Sequence, residues 1–162
     1  MALEKVKAYF EGTELEGKVI ELEESSATVD LAAQALHTEP DRIAKSLSYL
    51  IDEKPILIIA SGLSRVDNKK YKAQFQKKAK MIPFEEVEGY VGHAVGGVCP
   101  FAVNEGVEVY LDVSLKKHGT VFPAAGSGNS AIELTIPQLE KFSGFTAWVD
   151  VCQEAVRENQ PQ

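Results

Sequence analysis

Leu3, Val6 and Phe10 recur at the three-to-four-residue spacing of a helix that buries one face, and Gly12 supplies a stop. Lys18 to Leu22 alternates like a short strand. Thr28 predicts an N-cap for a helix over Val29 to Leu36, with Asp30 well placed in the first turn. Pro40 opens a second short helical segment toward Lys45. The period then changes. Leu47 to Ile51 and Ile56 to Ala60 are apolar, β-rich runs joined by Asp52-Glu53-Lys54-Pro55, which reads as a hairpin, and Ser61-Gly62 breaks the second strand. Asp67 caps a lysine-rich helix, and Pro83 opens another that reaches about Tyr90. Further strands are expected over Val107 to Val113, Thr120 to Ala124, Ala131 to Ile136 and Trp148 to Val151, with a short helix from Pro137 to Gly144.

Helices and strands interleave, but the strand pairs have tight connections. That pattern favours an α+β fold, a mixed and mostly antiparallel sheet flanked by helices, over a doubly wound parallel sheet. No repeat, low-complexity tract or linker interrupts the chain, so residues 1–162 read as one domain, with a tail expected to fray after Glu154.

Composition places the chain among ordinary globular proteins, at 44% hydrophobic and 25% charged residues. No apolar run approaches the roughly 20 residues of a membrane span. The start, Met1-Ala2-Leu3-Glu4-Lys5-Val6-Lys7, carries charges where a signal peptide needs an apolar stretch, so a cytoplasmic protein without a membrane partner is expected. Cys99 and Cys152 are too few for a disulfide framework and are expected to be free thiols. No helix is apolar all round, which favours a monomer.

A net charge of −7 argues against a general nucleic-acid binder. The charge is uneven, however: Lys69, Lys70, Lys72, Lys77, Lys78 and Lys80 fall in a stretch without one acid. Charge alone fits either a partner gripped at one end or a solvated helix face.

Two glycine-rich stretches carry candidate chemistry. In Tyr90-Val91-Gly92-His93-Ala94-Val95-Gly96-Gly97-Val98-Cys99-Pro100-Phe101 the glycines let backbone N–H groups converge on a ligand, as in an oxyanion hole, and Pro100 fixes the exit. An ordinary tight turn fits the same residues. In the second, Gly126-x-Gly128-x-x-Ala131 formally matches a dinucleotide fingerprint. The residues after it read as a strand where that fingerprint needs a helix, so a dinucleotide site is rejected and a loop cradling a substrate remains. Lys45, within Ile43-Ala44-Lys45-Ser46-Leu47, is either a substrate-binding cation or a lysine that snorkels to the surface.

Ile43-Ala44-Lys45-Ser46-Leu47, Gly96-Gly97-Val98-Cys99-Pro100, Val109-Tyr110-Leu111-Asp112 and Val121-Phe122-Pro123-Ala124-Ala125-Gly126 occur in this order. Together, from about Val19 to Phe142, they closely resemble the YbaK/EbsC family, free-standing relatives of the editing domain inserted in bacterial prolyl-tRNA synthetases. The resemblance implies an aminoacyl-tRNA deacylase acting in trans on the acceptor end of a mischarged tRNA, without metal or cofactor, with a synthetase as a candidate partner. Lys45 then matches the family's functional lysine, which contacts the terminal adenosine or the aminoacyl group. Gly96 and Pro100 match the ends of a G-x-x-x-P motif, with Gly96, Gly97 and Val98 as backbone donors to the ester carbonyl. Gly126, Ser127 and Gly128 match a loop bordering the pocket, and His93 and Cys99 complete the substrate-binding candidates. Lys69, Lys70 and Lys72 are candidates for the acceptor-stem phosphates. Ala131 departs from several cysteine-specific relatives, which carry an aspartate there.

Two other functions fit parts of the sequence. One is a module that binds an aminoacyl-adenosine-like or nucleotide ligand without turnover. The other is a thiol hydrolase using Cys99 with His93. His93, Cys99 and His118 lack convincing zinc spacing. Asp112 reads as the orienter of a loop or the cap of the following turn, or as a catalytic base.

Overall fold

The chain folds around one long strand pair whose second member is apolar at five consecutive positions, Ile56 to Ala60. Such a run marks a strand covered on both faces, and the computed structural model, described here over residues 2–154, has that arrangement. In chain order the elements are α1 (Ala2–Phe10), β1 (Ile20–Glu21), α2 (Val29–Leu36), β2 (Ile43–Ile51), β3 (Lys54–Ser61), β4 (Ser64–Val66), α3 (Asn68–Phe75), α4 (Val87–Val91), β5 (Glu108–Asp112), β6 (Thr120–Pro123), β7 (Ser130–Ala131), β8 (Leu134–Thr135), α5 (Ile136–Ser143), β9 (Ala147–Val149) and β10 (Cys152–Glu154). The tail expected to fray after Glu154 lies outside the described residues.

Six strands form one sheet in the order β8-β6-β2-β3-β5-β9, with β1-β7 and β4-β10 as separate small ladders. The sheet is mixed. β2-β3 and β6-β8 are antiparallel, whereas β2-β6, β3-β5 and β5-β9 run parallel. On one face Leu57 and Ile59 meet Val6 and Phe10 of α1, Val91 of α4 and Leu139 of α5. On the other, Ile56, Ile58 and Ala60 meet Tyr71 of α3 and Val151. A third, smaller cluster packs Ala32 and Ala33 of α2 on Ile43 and Phe122.

Local signals explain most boundaries. The Thr28 hydroxyl accepts from Leu31 N, and Asp67 from Lys69 N and Lys70 N. Thr135 and Gln138 form a reciprocal capping box on α5, which ends at Gly144. The hairpin turn is tighter than expected: only Asp52 and Glu53, both at positive φ, lie between the strands. Pro55 belongs to β3 opposite Leu50, whose own N–H turns away to Lys80 O (2.8 Å), so the missing proline N–H breaks no bond.

Several expectations need correction. The helix expected from Pro40 toward Lys45 is one 3-10 turn, Pro40–Arg42, and Lys45 lies in β2, because Ile43 and Ala44 pair in parallel with Phe122 and Pro123. The strand expected over Ala131 to Ile136 is two short ones facing different partners: β7 pairs with β1, and β8 with β6. The segment after Pro83 begins as a 3-10 turn before α4. β4 and β10, which pair with each other, have no pattern of their own to reveal them.

Candidate functional site

β2 builds the floor of the site. Its outer edge is taken by β6 at Ile43 and Ala44. Further on, Tyr49 bridges Met81 and Ile82 N donates to Ser48 O (3.1 Å). Between these contacts a cleft of about 480 Å3 opens, walled by residues 26–29 at the start of α2, residues 43–48, the 81–87 segment, the 95–98 loop and residues 122–131. Most of this wall is apolar, including Val29, Ile82, Val87 and Phe122.

The two glycine-rich loops meet behind this cleft. Gly126 N donates to Gly97 O (3.0 Å), and a Cβ on Gly97 would stand 2.4 Å from Ser127 N. Only a residue without a side chain permits that approach. Gly96, at φ +99°, faces Ala27 and Gly128. Gly128 O in turn accepts from Ser26 N (2.7 Å), tying the α2 entrance to the same assembly. The close spacing of the loops, invisible in either one alone, is why both are glycine-rich.

Lys45 lines the cleft. Its Nζ donates to Gly62 O (3.3 Å) and, by a shorter contact, to Ser64 O. Burial lowers its pKa from the usual lysine value, with Asp41 among the charges opposing that shift. The turn carrying those carbonyls is pinned by Asp41, which accepts from Leu63 N (3.0 Å), Lys117 Nζ (2.9 Å) and His118 Nε2 (2.8 Å). Burial alone would raise the Asp41 carboxyl, but these hydrogen bonds outweigh it and hold the pKa at about 2.

The expected backbone donors divide. Gly96 and Val98 line the cleft, and among the described residues neither N–H has a protein acceptor. The Gly97 N–H is committed to Ala94 O at 3.0 Å, which leaves Gly97 the role of close packing. Pro100 is buried behind the loop.

His93 and Cys99 are not at the cleft wall. Both are fully buried, with His93 Nε2 at 2.7 Å from Phe101 O and 3.6 Å from Cys99 Sγ. Burial pushes the Cys99 thiol up to about 12 and lowers the His93 pKa. A thiol held that way is not a thiolate near neutral pH, so the pair shapes the loop from behind. Ser127 is likewise consumed by its own turn, its hydroxyl within hydrogen-bond distance of Asn129 Oδ1 (2.9 Å) and Ser130 Oγ (2.7 Å). Ser130 and Ala131, not Ser127, reach the cleft. Asp112 is a cap: it accepts from Ser114 N and Val151 N, both at 2.9 Å.

Lys69, Lys70 and Lys72 sit on α3, whose Tyr71 packs on Tyr49, and none of the three lines the cleft. Lys70 is turned to Asp150 (3.2 Å) and Cys152 O (3.0 Å), while Lys69 and Lys72 are exposed. Sequence reasoning missed Ser26, Ser46, Met81 and Phe84 at the cleft. Ser46 stands in the quoted Lys45 segment without a role of its own, Ser26 and Met81 carry no motif, and only the fold shows Phe84 to be 73% exposed.

A curled half-barrel sheet flanked by helices, with two stacked glycine loops and a half-buried lysine at an apolar cleft, defines an editing-domain-like fold. Residues 23–142 match the aminoacyl-tRNA editing domain family, and the chain belongs to that family. An uncharacterized Bacillus subtilis protein, YwhH, is 48% identical over 155 residues, covering 95% of this chain and 99% of that one. A proline–tRNA ligase of Lactiplantibacillus plantarum is 24% identical over 76% of this chain, which spans 22% of the ligase. The crystal structure of a candidate trans-editing enzyme for prolyl tRNA synthetase superposes with a TM-score of 0.83 at 29% identity, covering 94% of this chain and 97% of that one. Among the described residues no helix is long and apolar enough to cross a membrane.

Proposed function

We propose that this chain hydrolyses the ester of a mischarged aminoacyl-tRNA in trans, releasing a small amino acid, with tRNA for proline as its substrate. The observation that carries this reading is the convergence on one cleft of Lys45 and two residues, Gly96 and Val98, whose N–H groups have no protein acceptor among the described residues. The prolyl-tRNA ligase relatives support the choice of tRNA.

Water attacks the ester carbonyl carbon, and the carbonyl oxygen takes up the negative charge. Gly96 and Val98 donate to that oxyanion, each donor of this kind typically contributing about 2.7–4 kcal/mol. The bond to the ribose oxygen then breaks, and that oxygen leaves with a proton. The vicinal ribose hydroxyl orients the water, so no side-chain nucleophile is needed. Lys45, anchored on Gly62 O and Ser64 O, holds a phosphate or hydroxyl oxygen of the substrate, and positioning of this sort adds further rate. The absence of a carboxylate at Ala131 on the cleft wall favours alanine or another small side chain over cysteine.

The test is deacylation of a panel of mischarged tRNAs by the intact chain and Lys45→Ala. Release of one small amino acid, slowed at least tenfold by the substitution, is expected; no release from any tRNA favours a non-catalytic binding module instead. Lys69 and Lys72 serve the acceptor-stem phosphates. Binding of an acceptor minihelix should therefore weaken with salt, and Lys69→Ala with Lys72→Ala should lower the salt slope by roughly 1–2. Salt-insensitive binding removes that role.

A further inference from the structure

Lys45 is anchored on carbonyls rather than on a counter-ion. It stands opposite Ala60 in the β2–β3 register. Beyond β3 the chain turns back over it, so that Gly62 O and Ser64 O accept from its Nζ. These carbonyls are its only hydrogen-bond partners among the described residues. A lysine ammonium has three N–H groups, so one is left for a molecule in the cleft that Lys45 lines. Where that N–H points depends on where the turn holds the two carbonyls.

Polar contacts place the turn. Leu63, its one large side chain, belongs to none of the three apolar clusters. Gly62 N donates to Asp41 O (3.3 Å), Leu63 N to Asp41 Oδ1 (3.0 Å) and Ser61 N to Ser114 Oγ (3.1 Å). A Cβ on Gly62 would overlap Pro40 O, so the turn rests directly on the backbone beside Asp41. The other carboxylate oxygen, Oδ2, accepts from Lys117 Nζ (2.9 Å) and His118 Nε2 (2.8 Å), where the 3-10 turn Val113–Lys117 ends. One carboxylate, 14% exposed, thus joins three separate segments of the chain. Bonds of this charge-assisted kind are shorter and stronger than neutral ones.

Resting on the deacylase reading, we propose that Asp41 is a positioning residue for the reaction. Held through one oxygen by Lys117 and His118, and holding Leu63 N with the other, it fixes the two carbonyls that aim the Lys45 ammonium into the cleft. Asp41 does not line the cleft, and it acts on the reaction through Lys45. A working side chain has to be held within about 0.5 Å of its productive place by such supporting contacts. Neutralising Asp41 loosens the turn from Lys117 and His118, and the carbonyls and the ammonium move with it.

The test measures kcat/KM on an acceptor minihelix carrying alanine, for Asp41→Asn, His118→Leu and His118→Gln, each in the parent chain and in Lys45→Ala. Asp41→Asn keeps the side-chain shape and an acceptor for Leu63 N, and should lower kcat/KM about fivefold. His118→Leu should also lower it, and His118→Gln, which keeps a donor for Asp41, should recover the parent value within about twofold. With Lys45→Ala in place, Asp41→Asn should cost less than about twofold more. Equal losses with and without Lys45 mean that Asp41 serves only the fold and overturn the proposal. Parent activity in Asp41→Asn, or a His118→Gln chain no better than His118→Leu, overturns it too. If Asp41→Asn does not fold, the two His118 variants carry the same comparison. A second readout needs no turnover: with carbon-13-labelled lysine, the Lys45 Cε resonance should shift in Asp41→Asn and His118→Leu and stay in place in His118→Gln. An unmoved Lys45 Cε in Asp41→Asn and His118→Leu sinks the positioning role and leaves the deacylase standing. Shifted resonances in a chain that hydrolyses no aminoacyl ester support Asp41's hold on Lys45 and sink the deacylase.

Discussion

A Cβ added at Gly97 would lie 2.4 Å from Ser127 N, 2.5 Å from Gly126 C and 2.7 Å from Ser127 Cα. All three are backbone atoms of the facing loop, so no side chain can swing aside. Gly97→Ala therefore has to part the two loops. Overpacking of this kind costs roughly 1–3 kcal/mol, and the Gly126 N to Gly97 O bond at 3.0 Å is stretched or lost with it, for about 1 kcal/mol more. A destabilisation of roughly 2–4 kcal/mol is expected in urea unfolding, read as a lower midpoint at unchanged slope. Gly128→Ala is the control. Its Cβ would meet only Ala27 Cβ at an ordinary 3.7 Å, and its φ is not positive, so it should stay within about 0.5 kcal/mol. Because Gly96 rests on Ala27 and lies near Gly128, parting the loops should also displace the Gly96 and Val98 donors and slow deacylation more than Gly128→Ala does. A Gly97→Ala chain as stable as the parent would refute the claim that backbone contact between the loops sets their geometry.

Asp41 gives a pH signature. Its folded pKa of about 2 lies below the usual 3.8 of an aspartate, so its contribution to stability is complete above about 5 and is lost as pH falls from there toward 2. Asp41→Asn should flatten that part of the stability–pH curve; an unchanged curve would show that the Lys117 and His118 contacts contribute nothing. Cys99→Ser should retain most of the deacylase activity while losing roughly 1–3 kcal/mol of stability through a buried, poorly paired hydroxyl. Inactivation of the native chain by a thiol-alkylating reagent at Cys99 would contradict the burial and raised pKa of its thiol.

Much of the fold was legible because local rules governed it. Thr28, Asp67 and the Thr135–Gln138 pair cap the helices of the sequence reading, and the apolar run from Ile56 to Ala60 reads as a strand, which the fold then buries on both sides. The sequence also marked Lys45 and both glycine loops as candidates. It misplaced Lys45 at a helix end, because the choice between helix and strand at Ile43 was made by pairing with Phe122, distant in the chain.

The rest was decided by distance in space. Whether a cysteine beside a histidine is reactive depends on water reaching it, and the fold buries both Cys99 and His93. Whether a glycine N–H is free depends on its neighbours, and Gly97's is taken by Ala94 O. Periodicity determines which face of an element is buried, since that follows from chain geometry alone. The cleft over β2 exists only because β6 stops at Pro123 and the 80–82 segment arrives at Tyr49, and no local pattern encodes a partner that fails to arrive.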